Sequence, residues 1–215
     1  MNFFELIKRV NNMKWSTNDP EPKVFGDILM SSKIAFQQAM IELWNAYPFP
    51  FKKCQDYKVL NPGENTISAP FGTVLSIVSD NGCFLKQVRA CQTFDDKKGV
   101  PTCYKIETDN AGDRIVFYPT PAAKCGVQIN YHTMHMAVSV DDESKFNMTD
   151  AQDRIAISHP IYLKLFENAV ILLTQCYLIQ DANDENFAPY REAYQRALYM
   201  LINYCANSME KRIVI

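Results

Sequence analysis

Hydrophobic positions change their period along the chain, and the changes divide it into blocks. Over residues 1–14, Phe3, Leu6, Ile7 and Val10 share one face of a short amphipathic helix. Residues 15–22, rich in Ser, Thr, Asn and Asp with two prolines, read as a linker. Over 24–47 the period is again helical, with Phe25, Ile28, Leu29, Phe36, Met40, Leu43, Trp44 and Tyr47 at steps of three and four. Pro48 and Pro50 stop that helix, because proline lacks an amide donor and disfavours the helical conformation in the residue before it.

From residue 52 to 137 short β-rich runs alternate with turn signals. The runs fall at 57–60, 73–78, 83–88, 102–107, 114–118 and 127–136, and Asn61-Pro62-Gly63 closes the first of them. Asn81-Gly82 predicts a tight hairpin between 73–78 and 83–88, and Asp109-Asn110-Ala111-Gly112 predicts a second one. Five to seven such strands imply a small antiparallel sandwich or barrel.

A polar stretch at 138–158 follows, carrying Asp141, Asp142, Glu143, Asp150 and Asp153. It is long for a connection within a compact domain, so a functional or mobile loop is expected there. Residues 161–180 then place Leu165, Phe166, Ala169, Leu172, Leu173, Cys176 and Tyr177 on a wide helical face. Residues 184–207 do the same with Phe187, Tyr190, Tyr194, Ala197, Leu198, Leu201 and Tyr204. The intervening 181–184 only turns the chain back, which makes an antiparallel helix pair.

The expected fold class is therefore α+β: an α-helical bundle of the N-terminal helices and the C-terminal pair, with an inserted antiparallel β-sandwich or barrel. Its expected parts are N-terminal helices at 1–51, the β domain at 52–137, an acidic connecting loop at 138–160, the helix pair at 161–208 and an arm at 209–215.

Composition narrows the function classes. The 215 residues include 13 Phe, 11 Tyr and 2 Trp but only 7 Gly. A chain short of glycine is poorly supplied for loops that lay backbone amides against phosphate. Net charge is −2, and residues 141–215 hold 7 basic against 11 acidic groups. Such a surface does not grip nucleic acid tightly. The seven cysteines form no CxxC pair, the first residues reach charge before any apolar run builds up, and no run approaches the ~18 apolar residues of a membrane span. Reduced thiols, a cytosolic setting and no membrane are expected.

Candidate chemistry is sparse. His132 and His135 lie three apart in a β-rich stretch, where alternation sends them to opposite faces, so joint metal ligation is not expected. His159-Pro160 reads as a helix entry. Cys83, Cys91, Cys103 and Cys125 share the β block without paired spacing and read as small hydrophobes rather than zinc ligands. No nucleophile elbow or phosphate loop occurs. No enzyme activity, cofactor or metal is expected. Two features read as contact instead. Tyr47, Phe49 and Phe51 alternate with Pro48 and Pro50 at a domain junction and, with Trp44 just before them, suit either a subunit contact or packing on the chain's own β block. The terminal Lys211, Arg212, Ile213, Val214 and Ile215 form a β-prone end suited to adding as a strand to a partner's sheet.

Several ordered segments carry a resemblance. They are Trp44-Asn45-Ala46-Tyr47-Pro48-Phe49 at the end of the early helix, Arg114-Ile115-Val116-Phe117-Tyr118-Pro119-Thr120-Pro121 in mid-chain, Tyr131 on the next strand, and Ile157-Ser158-His159-Pro160 before the helix pair. Together, over about residues 24–205, they resemble the phage head–tail adaptor family called tail tubular protein A or gatekeeper, with comparable ring proteins in crAss-like phages. The resemblance implies a helical bundle with an inserted β domain. It also implies a structural virion protein of the neck, assembled in the host cytoplasm. Such a protein forms a ring of about twelve copies below the portal, contacts the portal protein and the next tail protein, and lines a channel for double-stranded DNA without binding it specifically. On that reading Lys211–Ile215 docks to the portal, the aromatic quartet contacts neighbouring copies, and the acidic residues of 141–153 face the lumen or the distal partner. The competing readings are a β-sandwich carbohydrate-binding module, and a cell-wall hydrolase needing two carboxylates about 5–10 Å apart.

Overall fold

The computed structural model describes residues 1–14, 26–89, 97–110, 112–179 and 187–210, and only the backbone at 11–14, 26–29 and 208–210. The expected linker at 15–22, the turn at 181–184, Cys91 and the arm Lys211, Arg212, Ile213, Val214 and Ile215 lie outside the described residues. In chain order the elements are α1 (Phe3–Lys14), α2 (Gly26–Ala46), a 3-10 turn (Pro50–Lys52), β1 (Lys53–Leu60), β2 (Thr66–Ser68), β3 (Gly72–Ser79), β4 (Lys86–Gln87), β5 (Lys98–Gly99), β6 (Cys103–Asp109), β7 (Gly112–Tyr118), β8 (Thr120–Pro121), β9 (Cys125–Thr133), β10 (Ala137–Val138), β11 (Ser144–Lys145), β12 (Arg154–Ile155), α3 (Pro160–Leu178) and α4 (Phe187–Glu210). The class is mixed α+β. Two compact units form, one from Met1–Phe51 with His135–Ile215 and the other from Lys52–Met134.

In the first unit α3 is the hub, packing against α1, α2 and α4. Ten successive or near-successive α3 residues from Phe166 to Cys176 are buried, which explains a helix apolar around its circumference. By length and composition α3 meets the criterion for a membrane span, contrary to the expectation that no stretch would, and half of that stretch is buried in the bundle. Its buried Thr174 hydroxyl returns to the Val170 carbonyl at 2.7 Å, and the Gln175 amide donates to the Val10 carbonyl at 2.5 Å, tying α1 to the hub. Phe3, Leu6, Ile7 and Val10 are all buried. Each such side chain contributes about 1.5–3 kcal/mol by leaving water. A reciprocal capping pair starts α1: Asn2 Oδ1 accepts from the Glu5 amide at 2.9 Å, and Glu5 Oε2 accepts from the Asn2 amide at 3.0 Å. Proline opens α3 at its first position, after an extended His159.

The second unit holds a three-stranded sheet in the order β1-β9-β3 and a four-stranded sheet in the order β2-β7-β6-β4, with β5 and β8 as a separate pair. One hydrophobic cluster draws on both sheets, with Leu60, Ile77, Val127 and Ile129 from the first and Tyr104, Ile115 and Phe117 from the second. No closed barrel is formed among the described residues, so that half of the sandwich-or-barrel expectation falls away. The hairpin expected at 109–112 is present, with Asp109 opposite Gly112 across β6 and β7. The one expected at Asn81-Gly82 closes only its first rungs. The Ser79 amide reaches the Cys83 carbonyl at 2.9 Å and the Leu85 amide reaches Ile77 at 2.9 Å. The chain then crosses to the other sheet, where β4 pairs with β6 in parallel. Burial decides the crossing, since Leu85 joins the cluster shared by the two sheets.

Candidate interaction surfaces

The aromatic quartet belongs to the core of the helical unit. Trp44 and Phe49 are fully buried, and Tyr47 and Phe51 are half-buried against the same cluster. Phe49 and Phe51 stack with centroids 5.0 Å apart. Phe166 of α3 meets Trp44, Phe49 and Phe51 edge-on at 5.7, 6.4 and 5.9 Å. Pro48 and Pro50 therefore fold the end of α2 back so that its rings clamp α3. Neither Trp44 nor Phe49 presents a surface to a neighbour in this conformation. The ring chain continues outward through Tyr162, which lies 5.7 Å from Phe51, 5.4 Å from Tyr204 and 4.7 Å from His159.

The acidic segment is built, not loose. Short strands at its start, middle and end form the sheet β11-β10-β12, and Asp153, just before β12, is 1% exposed. The Asp153 carboxylate accepts the Thr149 and Asp150 amides at 2.8 and 2.9 Å and the Lys145 ammonium at 2.9 Å. Burial by itself would raise its pKa. The Asp150 amide, the Lys145 ammonium and the Thr149 amide outweigh that and hold it below the ordinary carboxylate range. Asp153 is thus an internal tie rather than a solvent-facing charge. The other four acidic residues are exposed: Asp141, Asp142, Glu143, and Asp150, whose side chain is 72% exposed. Asp142 holds a positive φ of 60° and pairs with Arg154 at 3.0 Å. The same segment anchors α1, because the Phe3 amide donates to the Asp153 carbonyl at 2.8 Å and the Phe4 amide to Ala151 at 3.0 Å.

On the open face of the three-stranded sheet, Tyr57 of β1 reaches over Gly126 of β9 to Asp80 beyond β3. Its hydroxyl donates to Asp80 Oδ1 at 2.9 Å, and the Gly126 amide donates to Asp80 Oδ2 at 2.5 Å. A Cβ at Gly126 would lie 1.8 Å from the Tyr57 hydroxyl, so the crossing needs glycine. Along β9, Gln128 donates to Asn130 at 3.1 Å and Asn130 to the Ser76 hydroxyl at 3.0 Å. His132 has a buried Nε2 without a hydrogen-bond partner, and burial with Lys52 and Lys53 nearby lowers its pKa. Among the described residues no three His, Cys, Asp or Glu side chains gather as a metal ion would need. Arg114 of the mid-chain motif pairs with Asp109 at 2.9 Å, while Ile115 and Phe117 fill the β core.

A cavity of about 280 Å³ lies in the helical unit among Glu42, Leu173, Cys176, Tyr177, Phe187, Arg191, Tyr194 and Gln195. The Tyr177 hydroxyl donates to Glu42, and burial followed by that carboxylate pushes its pKa up to about 12. Tyr194 is likewise pushed up to about 12, by burial first and then by Glu42. Both phenols stay protonated at neutral pH and act as packing and hydrogen-bonding groups. Sequence reading also passed over the outward face of α2, where Met30 and Ile34 are exposed. The legible signal was the absence of any charged residue over 34–41.

What the molecule presents is surface for contact: ring-clamped helices, a braced acidic segment and uncovered apolar positions. The sequence profile of the SU10 adaptor protein family matches residues 1–211. The chain belongs to the SU10 adaptor protein family. This is a phage adaptor family, so the protein is a structural component of a virion that associates with other phage structural proteins. No curated protein matches the chain significantly.

Proposed function

We propose that this SU10-family adaptor is a head–tail connector of the phage neck, akin to the tail tubular protein A or gatekeeper rings. It forms a ring of about twelve copies beneath the portal, joins the portal to the next tail protein, and walls the channel through which double-stranded DNA leaves. The family match over residues 1–211 carries the reading. On this reading the architecture is a helical bundle bearing an inserted β-sandwich, assembled in the host cytoplasm and carried in the virion neck.

The charge balance supports it. A conduit that neutralised phosphates would release counterions, gain binding energy and stall its cargo, and a chain of net charge −2 avoids that. The lumenal or distal role falls to the exposed Asp141, Asp142, Glu143 and Asp150, since Asp153 is engaged internally. Portal docking falls to Lys211, Arg212, Ile213, Val214 and Ile215, by strand addition. Lateral contact falls to exposed rather than ring-clamped positions.

The test is mass photometry of the full chain, alone and with purified portal, paired with a pull-down of a variant lacking residues 211–215. A ring-sized species that forms alone or on the portal supports the connector reading. A monomer indifferent to portal refutes it. Undiminished portal capture by the truncated chain refutes the role given to the arm.

A further inference from the structure

Asn81-Gly82 is the only Asn-Gly pair in the sequence, and both residues are exposed in the loop after β3. Such a pair is reactive as well as turn-forming. The backbone nitrogen of the second residue can attack the asparagine side-chain carbonyl, and glycine puts no side chain in the way. At Gly82 the space is open, since a Cβ there would meet nothing within 4 Å.

The folded loop holds both reacting groups in other bonds. The Gly82 amide, the nucleophile, donates to the Ser79 carbonyl at 2.8 Å. The Asn81 side-chain oxygen accepts from the Ser79 hydroxyl at 2.5 Å and from the Cys83 amide at 3.1 Å, which fixes the electrophile. Ser79 thus restrains both partners, one through its carbonyl and the other through its hydroxyl. Attack requires these bonds to break, so the loop must open first.

The same loop braces a sheet. Asp80 accepts the Tyr57 hydroxyl of β1 at 2.9 Å and the Gly126 amide of β9 at 2.5 Å, and its own amide donates to the Gly126 carbonyl at 3.1 Å. A change in the main chain at position 81 therefore reaches β1, β9 and β3 together.

We propose that Asn81 is a site of spontaneous deamidation, gated by the Ser79 hydroxyl. When the loop opens, hydroxide removes the Gly82 amide proton and the nitrogen lone pair attacks Asn81 Cγ. The N–Cγ bond forms, the Cγ–Nδ2 bond breaks, and ammonia leaves after taking a proton back from water. The product is a five-membered succinimide. Water then opens that ring at either carbonyl, giving aspartate or isoaspartate, the latter with its main chain running through Cβ. One water is consumed and one ammonia released, with no change of oxidation state. Either product carries a new negative charge. Isoaspartate also lengthens the main chain beside Asp80 and loosens its hold on Tyr57 and Gly126.

The experiment ages the full chain in warm, mildly alkaline buffer made with heavy-oxygen water. Ion exchange separates chains with the new charge, and peptide mass spectrometry with isoaspartyl methyltransferase locates the label and the product. Label enters at Asn81 ahead of every other asparagine, and the folded chain converts about ten-fold or more slowly than the same chain unfolded in urea. Ser79→Ala, which loses the restraint of about one hydrogen bond, converts about five-fold faster than wild type. Ser79→Thr keeps the hydroxyl and the slow rate, and circular dichroism and melting show that each variant folds. In the isoaspartate fraction the Gly126 amide exchanges its hydrogen faster than in fresh protein. A further measurement needs no variant: below the unfolding transition, the conversion rate of wild type rises with urea in step with hydrogen exchange of the Gly82 amide. Label entering another asparagine first overturns the site. A folded chain that converts as fast as the unfolded one, a rate that stays flat as Gly82 exchange rises, or Ser79→Ala at the wild-type rate overturns the gate.

Discussion

Asp153 is the side chain whose loss the structure prices most clearly. It is 1% exposed, and its carboxylate takes the Thr149 and Asp150 amides together with Lys145. Replacing it with alanine leaves two amides without their acceptor and removes charge-assisted bonds worth about 1.5–3 kcal/mol each. Water partly compensates, because Asp150 beside it is solvated, so the net cost of Asp153→Ala is about 3 kcal/mol, at the low end for breaking a buried charged group. With a urea slope of about 2 kcal/mol per molar, the unfolding midpoint followed by far-ultraviolet circular dichroism falls by about 1.5 M. Asp153→Asn keeps the shape and one acceptor and costs about half as much. The loss is felt first at α1, so hydrogen exchange of the Phe3 and Phe4 amides, which bond to this segment, speeds up. The pH dependence has a fixed sign. The folded carboxyl binds its proton less readily than an unfolded aspartate of pKa about 3.9. Its stabilisation is whole above that value and vanishes as pH falls through the lower, folded one. The gap between wild type and Asp153→Asn must therefore close under acid. A midpoint equal to wild type at neutral pH, or a gap undiminished at low pH, refutes the reasoning.

Other changes test other parts of the fold. Phe166 is fully buried and edge-on to three rings, so Phe166→Ala costs about 3–5 kcal/mol, read as a lowered urea midpoint; a change below 1 kcal/mol would show that the rings do not hold α2 on α3. A Cβ at Gly72 would stand 2.0 Å from the backbone oxygen of His132, an atom that moves only if β9 moves. Gly72→Ala therefore lowers stability by about 1–3 kcal/mol and shifts amide resonances along β9, and an unperturbed spectrum would contradict the strand placement.

The distribution of these sites shows what was legible in one dimension. Helical spacing places Phe3, Leu6, Ile7 and Val10 on one face, and all four are buried. It locates α2 to within a few residues, and Pro160 and the turn at 109–112 mark their elements, because these signals act between residues only a few positions apart. The family resemblance pointed to a phage adaptor, and the profile match agrees at that level.

Partners far apart in sequence were beyond that reading. β9 lies between β1 and β3 although the turn signals favour neighbours in sequence, and the hairpin at Asn81-Gly82 is abandoned once Leu85 finds a core to enter. Trp44 and Phe49 offer the same apolar surface to a neighbour or to Phe166, and only α3 lying across them decides which. Five carboxylates in 141–153 look alike in sequence, yet Lys145 and two backbone amides single out Asp153. The chain by itself determined periods, stops and turns, since those depend on local sterics and alternation. Which apolar face meets which, and which charge is taken from water, was decided by tertiary structure, because burial belongs to the pair in contact and not to either residue alone.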